Sequence, residues 1–288
     1  GNVVVISGNN ARKTNYIESS IQAGLNVLAD KPMAITPDNF KTLEQLFPSA
    51  KEKGVLLYDI MTERYEITTM MQKALSQMPE VFGTLEKGSV DNPAITKESV
   101  HHFFKYVSGQ ALIRPAWFFD VKQQGEGIVD IATHLVDLVF WECFPNEIIQ
   151  YDDLAILEAR RWATELSQAQ FQKVTGLPDF PDYLQEDTKE GVLHTYSNGE
   201  INFSVKDVHA KVSVIWNYQA PEGAADTHYS IMRGTKANLV IRQGTEQNYK
   251  PVLYVEPVNA EDETVLEASL SKAIEKIGMK FSGLSFKK

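Results

Sequence analysis

Gly24-Leu25-Asn26-Val27-Leu28-Ala29-Asp30-Lys31-Pro32 reads as a glycine that stops a helix, a short apolar strand from Leu25 to Ala29, and a charged turn closed by proline. On its amino-terminal side, Val3-Val4-Val5-Ile6 reads as a buried parallel strand. A Gly8-Asn9-Asn10 turn follows, then a helical pattern with Tyr16, Ile17 and Ile21 on one side. On the other side, Thr36-Pro37 reads as an N-cap with proline at the first helical position. Phe40, Leu43 and Phe47 give that helix its expected apolar face, Gly54 stops it, and Val55 to Tyr58 form a third strand. Strand–helix–strand alternation of this kind builds a parallel sheet. The first 61 residues therefore read as half of a doubly wound sheet.

Beyond Met61 the pattern changes. A helix is expected from about Thr62 to Gln77, ending before Pro79, and strands dominate thereafter. Lys211 to Gln219 alternates, with Val212, Val214, Trp216 and Tyr218 on one face, which predicts an antiparallel sheet with one covered side. Asn198-Gly199 predicts a tight hairpin. Helices are expected from Gly127 to Glu142 and around Leu266, Leu270, Ile274 and Ile277. The expected fold class is α/β plus α+β: a partial doubly wound parallel sheet over residues 1–61, then a domain over 62–288 with a large, mostly antiparallel sheet flanked by helices.

With 28 basic and 38 acidic side chains the 288-residue chain carries a net charge of −10 and a pI near 5.2. That balance argues against nucleic acid and against an anionic membrane surface as partners. No apolar run approaches the roughly 20 residues of a spanning helix, and no signal peptide is visible. The single cysteine, Cys143, has no internal disulfide partner; this fits a reducing cytoplasm and is also compatible with export. Cys143 reads as core rather than nucleophile.

Three features carry chemistry. Gly125-Glu126-Gly127-Ile128-Val129-Asp130 superficially matches a phosphate loop, but the third glycine is missing and no parallel βαβ unit follows, so phosphate binding is not expected. In the helix beyond it, Asp130, His134, Asp137 and Trp141 lie within about 40° of one line. A carboxylate one turn from an imidazole can orient it and stabilise its charged form, which suits an acid/base; an ordinary solvated i,i+4 pair explains the same spacing. Lys31 falls at the carboxyl end of a parallel strand, where open α/β sheets bind ligands, or is a surface lysine in a strand-to-helix loop. His101 and His102 are expected on opposite faces of a strand, and His194, His209 and His228 on polar sheet faces. No Cys/His cluster has zinc spacing, so no metal is expected.

Taken in order, these segments resemble the glucose-fructose oxidoreductase / inositol dehydrogenase (Gfo/Idh/MocA-type) family. Residues 24–34 are similar to its Glu-Lys-Pro segment, with Asp30 for the usual glutamate, and residues 125–137 to its Gly-rich, Asp, His, Asp signature, with Glu126 and Ala132 for glycines. The resemblance is good from Asn2 to about Trp141, and Gly234-Thr235-Lys236 is similar to a turn in the family's large sheet. It implies an NAD(P)-dependent oxidoreductase acting on a sugar or polyol, with residues 1–61 the second half of a Rossmann-type domain and 62–288 a substrate-binding and oligomerisation domain. Lys31, Asp130 and His134 would be catalytic. Asn9, Asn10 and Lys31 would lie beside the cofactor, and Trp117, Asp120 and Asp137 would touch substrate. The family's first three strands, which supply most pyrophosphate and adenosine contacts, have no counterpart here. The chain is therefore expected to be a fragment of a longer protein, holding NAD or NADP poorly or not at all by itself. Other readings are a non-catalytic carbohydrate-binding or assembly module and an NAD-dependent glycosidase. A sheet with one apolar face needs a cover, so a homo-oligomer through the large sheet is also expected.

Overall fold

The computed structural model describes residues 2–281 and 283–288. Three strands, β1 (Val3–Ile6), β2 (Asn26–Asp30) and β3 (Leu57–Ile60), form an all-parallel sheet in the order β1-β2-β3. The connections are α1 (Lys13–Gln22) and α2 (Pro37–Glu52), and both helices pack on one face. Gly24 and Gly54 take positive φ after these helices, at 72° and 67°, as left-handed C-caps require. The Thr36 side chain accepts from the Asn39 amide at 3.1 Å, with Pro37 at the first turn, so the expected cap forms.

Two expectations shift. The buried face of α2 is Leu43, Leu46 and Ala50, whereas Phe40 and Phe47 are exposed. β1 is an edge strand buried on one face only. Val5, Leu28 and Tyr58 stand side by side across the other face, with Val5 65 % and Tyr58 56 % exposed.

After α3 (Ile67–Ser76) comes the large sheet. Its strands are β4 (Ile95–Phe104), β7 (Leu154–Ser167), β8 (Thr188–Lys189), β9 (Val192–Val205), β10 (Val208–Gln219), β11 (Thr227–Arg233), β12 (Ala237–Gln243) and β13 (Val252–Pro257). β5 (Tyr106–Val107) and β6 (Gln110–Ala111) make a separate small hairpin. The order is β13-β12-β11-β4-β10-β9-β7, with β8 on β9. All pairs are antiparallel except β4–β10. Asn198-Gly199 does not turn the chain: both lie inside β9, and the hairpin to β10 is made by Lys206 and Asp207, at φ 49° and 66°. A pair of positive φ values matches the right-handed twist of the flanking strands.

Helices cover one face of this sheet. α6 (Ala132–Cys143) packs Ala132, Leu135 and Val139 on Ile95, Ala210 and Val212, while α3 and α8 (Glu263–Gly278) bury Met71, Leu75, Leu266, Leu270 and Ile277 against Met232 and Leu239. Each of the valine, leucine, isoleucine and methionine side chains contributes roughly 1.5–3 kcal/mol on burial. Under α6 lies a fully buried polar knot: the Lys97 ammonium donates to Glu142 Oε2 at 2.9 Å and Ser230 Oγ at 2.9 Å. Burial pushes the Glu142 carboxyl up and Lys97 opposes it. The Cys143 thiol, packed beside this core, is pushed up by burial as well. The uncovered face is charged, with Lys211–Glu200 at 2.9 Å and Arg242–Glu256 at 2.8 Å. The apolar face for which the sequence reading sought a partner subunit is thus already covered by helices of the same chain. Among the described residues, no helix is long and apolar enough to cross a membrane.

Candidate active site

The two sheets meet around the segment that leads into α6. α4 (Val121–Gln124) and α5 (Gly127–Asp130) precede it, with Ile131 between α5 and α6. Gly127 packs against β9 so closely that a Cβ would run into the Ser197 carbonyl. This close approach is what the glycine serves. Glu126, where the motif has glycine in the family, pairs with Arg161.

α5 delivers Asp130 to the end of β2. Lys31 Nζ donates to Asp130 Oδ1 at 2.8 Å and to the Asp130 carbonyl at 3.0 Å, and Gln124 donates to Oδ2 at 2.9 Å. An ammonium has three N–H groups, and these two bonds leave one for a ligand. Behind this pair, the buried Lys13 donates to the Asp30 and Lys31 carbonyls, each at 3.0 Å, fixing the strand end from which Lys31 projects. Burial pulls the Lys13 pKa down.

A cleft of about 290 Å³ opens here, lined by Gly8, Asn10, Lys31, Trp117, Asp130 and Trp216 among others. Arg114 also lines it; its guanidinium donates to the Phe103 and His102 carbonyls and lies 4.6 Å from the Phe118 ring centroid. Burial lowers the Arg114 pKa to about 10. The residues fit the nicotinamide end of a dinucleotide on two counts. Gly8, at φ 96°, has nothing within 4 Å of a built Cβ, so backbone alone borders the cleft there. It lies beyond the end of β1, as Lys31 lies beyond the end of β2, and open α/β sheets receive their ligands at the carboxyl ends of their strands.

Other expected site residues have different surroundings. Asn9 caps the turn by accepting from the Ala11 amide and donates to Gln123; Asn10, buried, donates to the Gln124 carbonyl. Asp120 is buried and caps α4, accepting from the Lys122 amide and the Gln123 side chain. Asp137 is held by the Arg64 guanidinium through both oxygens, and Trp141 lies under the Lys73 ammonium. Asp130 bonds Lys31 and Gln124 rather than His134. His134 Nδ1 is buried without a partner, and burial, helped by Lys31, lowers its pKa to about 4. At neutral pH the ring is therefore an uncharged base, not the half-titrated group that an ordinary histidine would be.

His134 lines a second cavity, of about 300 Å³, on the other side of Ile131, with His101, Asp226 and His228. The sequence reading missed Arg114, Arg64 and this histidine–aspartate group. Strand parity had separated His101 from His102, yet the Asp226 carboxylate binds both rings, His101 Nδ1 at 3.3 Å and His102 Nδ1 at 3.0 Å.

Residues 71–288 match the family described as "Putative oxidoreductase C terminal domain". A crystal structure of a "putative oxidoreductase" from Parabacteroides merdae is 53 % identical, with a TM-score of 0.95, and covers 100 % of this chain; the chain spans 66 % of that protein's length. More distant structures share the fold. The WlbA dehydrogenase from Bordetella pertussis, in complex with NADH and UDP-GlcNAcA, has 14 % identity and a TM-score of 0.52 over 96 % of this chain and 66 % of its own. KijD10, a 3-ketoreductase from Actinomadura kijaniata in complex with NADP and TDP-benzene, has 15 % identity and a TM-score of 0.53 over 96 % and 70 %. No curated protein matches the chain. By sequence match over residues 71–288, the chain belongs to the oxidoreductase C-terminal domain family.

Proposed function

We propose that this chain takes part in the NAD(P)-dependent oxidation of a hydroxyl on a sugar or polyol, or the reverse reduction. The observation that carries the reading is the Lys31–Asp130 pair at the carboxyl end of β2, which joins two distant segments and leaves one ammonium N–H for a ligand. In this reading Lys31 donates that hydrogen bond to the reacting oxygen, favouring the alkoxide as the hydroxyl loses its proton. Asp130 keeps the ammonium aimed. His134, neutral at working pH, accepts the proton from the hydroxyl. Lys13 locks the backbone beneath Lys31, so the ammonium cannot drift. Trp117 and Trp216 give the cleft apolar walls. Gly8, Asn10 and Lys31 would border the nicotinamide, which when bound supplies the hydride acceptor.

The test is NAD(P)⁺ reduction across a panel of neutral sugars and polyols. Lys31→Met is expected to lower kcat/KM by about 10²–10⁴-fold for any substrate found. A Lys31→Met protein that turns over at the parental rate overturns the reading.

A further inference from the structure

The cavity beyond Ile131 lies between the inner face of the large sheet and α6. Asp226 immediately precedes β11, where Thr227 pairs with Val100, so its carboxylate sits level with His101 at the end of the ladder. Its oxygens take His101 Nδ1 and His102 Nδ1, and the Lys105 ammonium joins on Oδ2. Burial alone would raise this carboxyl, but hydrogen bonds from His101, Lys105 and His102 hold it far below the usual carboxylate range. A carboxylate that stays ionised is an acceptor only. His101 therefore presents an N–H from Nδ1 to Asp226, which leaves Nε2 on the far edge of the ring. The ring is fixed in turn by stacking on Trp216, centroids 4.8 Å apart at 27°.

Both imidazoles of the cavity are left incomplete. His101 Nε2 and His134 Nδ1 are buried without a hydrogen-bond partner. Buried polar atoms are nearly always paired, and an unpaired one costs about 1–3 kcal/mol. Two such atoms on rings that line one cavity point to a ligand that completes them. The lining also limits what the ligand is. Glu63, Glu66 and Asp226 contribute to it and, among the described residues, no lysine or arginine does. A carboxylate or phosphate would meet Glu63 and Glu66 with no lysine or arginine in the lining to offset them, whereas a hydroxyl both donates and accepts.

We propose that Asp226 and His101 form a substrate-positioning pair: Asp226 anchors the ring through Nδ1, and Nε2 of His101 hydrogen-bonds a hydroxyl of a neutral sugar or polyol, at a carbon other than the one oxidised. The acid-lined cavity turns away the uronate or phosphorylated form of the same sugar. This rests on the oxidoreductase reading above for the identity of the ligand, but the binding contact is measurable without turnover.

Calorimetry with the whole chain, with and without NADH, would compare D-glucose, N-acetyl-D-glucosamine and myo-inositol with D-glucuronate and D-glucose 6-phosphate. At least one neutral compound is expected to bind, and the two anions at least tenfold more weakly. His101→Phe keeps the stack on Trp216 and removes the nitrogen; binding should fall at least tenfold with an unchanged melting temperature. His101→Gln, which offers an acceptor oxygen, should recover part of the loss, and Asp226→Asn should weaken binding like His101→Phe. Where turnover is found, His101→Phe should raise KM about tenfold and leave kcat within threefold. Equal binding by His101→Phe and the parent, equal binding of glucuronate and glucose, or no binding of any neutral compound overturns the proposal. Sugar binding that depends on His101 with no NAD(P)⁺ reduction overturns the oxidoreductase reading alone; reduction that is insensitive to His101→Phe overturns this proposal alone.

Discussion

The recesses on either side of Ile131 are lined by different side chains, basic and aromatic in the cleft, acidic and histidine-bearing in the cavity, and are finished in opposite ways. In the cleft at the end of β2, Lys31, Asp130, Lys13 and Arg114 each hold defined partners, and one N–H of Lys31 is left over. In the cavity under α6, Asp226 is bonded on three sides, while His101 and His134 each keep a bare nitrogen. Saturated groups hold a geometry; unsaturated ones wait for a partner, at some cost in stability. The cleft reads as the rigid side that holds the reacting oxygen, and the cavity as the side that contributes His134 and recognises what is brought to it.

Removing a partner from the saturated side should therefore have the largest effect on stability. Asp130→Ala strands the Lys31 ammonium in a nearly closed setting and should cost about 3–5 kcal/mol, read from the denaturant midpoint. A loss below about 1 kcal/mol would erase the contrast. Acid titration probes the unsaturated side. His134 and His228, both of the cavity, have folded pKa values lowered to about 4 by burial. Between about 6.5 and 4 the unfolded chain binds protons that the folded chain does not, so stability falls as the pH falls through this window and levels off below it. The slope should reach at most about 1.4 kcal/mol per pH unit for each ring. His134→Gln should remove the share of that ring, and an unchanged slope would show that it titrates normally. The smallest effect is expected outside both recesses. Arg64→Gln, which frees Asp137, should cost about 1 kcal/mol or less in thermal unfolding and leave sugar binding alone. A loss of binding would move Asp137 into the site.

The parts of this molecule legible in its sequence are those governed by local rules. Thr36-Pro37, Gly24 and Gly54 act through their own backbone geometry, and helix and strand positions near them followed. Lys31 and Asp130 were recognisable because their motifs lie in a known order. Where tertiary contacts decide, the reading drifted. Phe40 and Phe47 are more apolar than Ala50, yet Ala50 lies in the core with Leu43 and Leu46 while the two rings are exposed. Asn198-Gly199 carries a turn signal, but Asn198 is buried in β9, where its side chain bonds Trp162, Thr164 and Trp216, and Gly199 leaves room for Ile128. The pairing of Asp226 with His101 spans 125 residues and arises only from the register of β11 on β4, which no local pattern encodes.

Two lysines record the state of the two sheets. Lys13 is 1 % exposed beneath the parallel strands and Lys97 0 % exposed inside the large sheet, and the two share no partner. An amine-reactive acylating reagent reaches each only when the sheet around it opens. The order in which these two positions take up label during mild denaturation would then date the loss of each half separately, with no probe added to the protein.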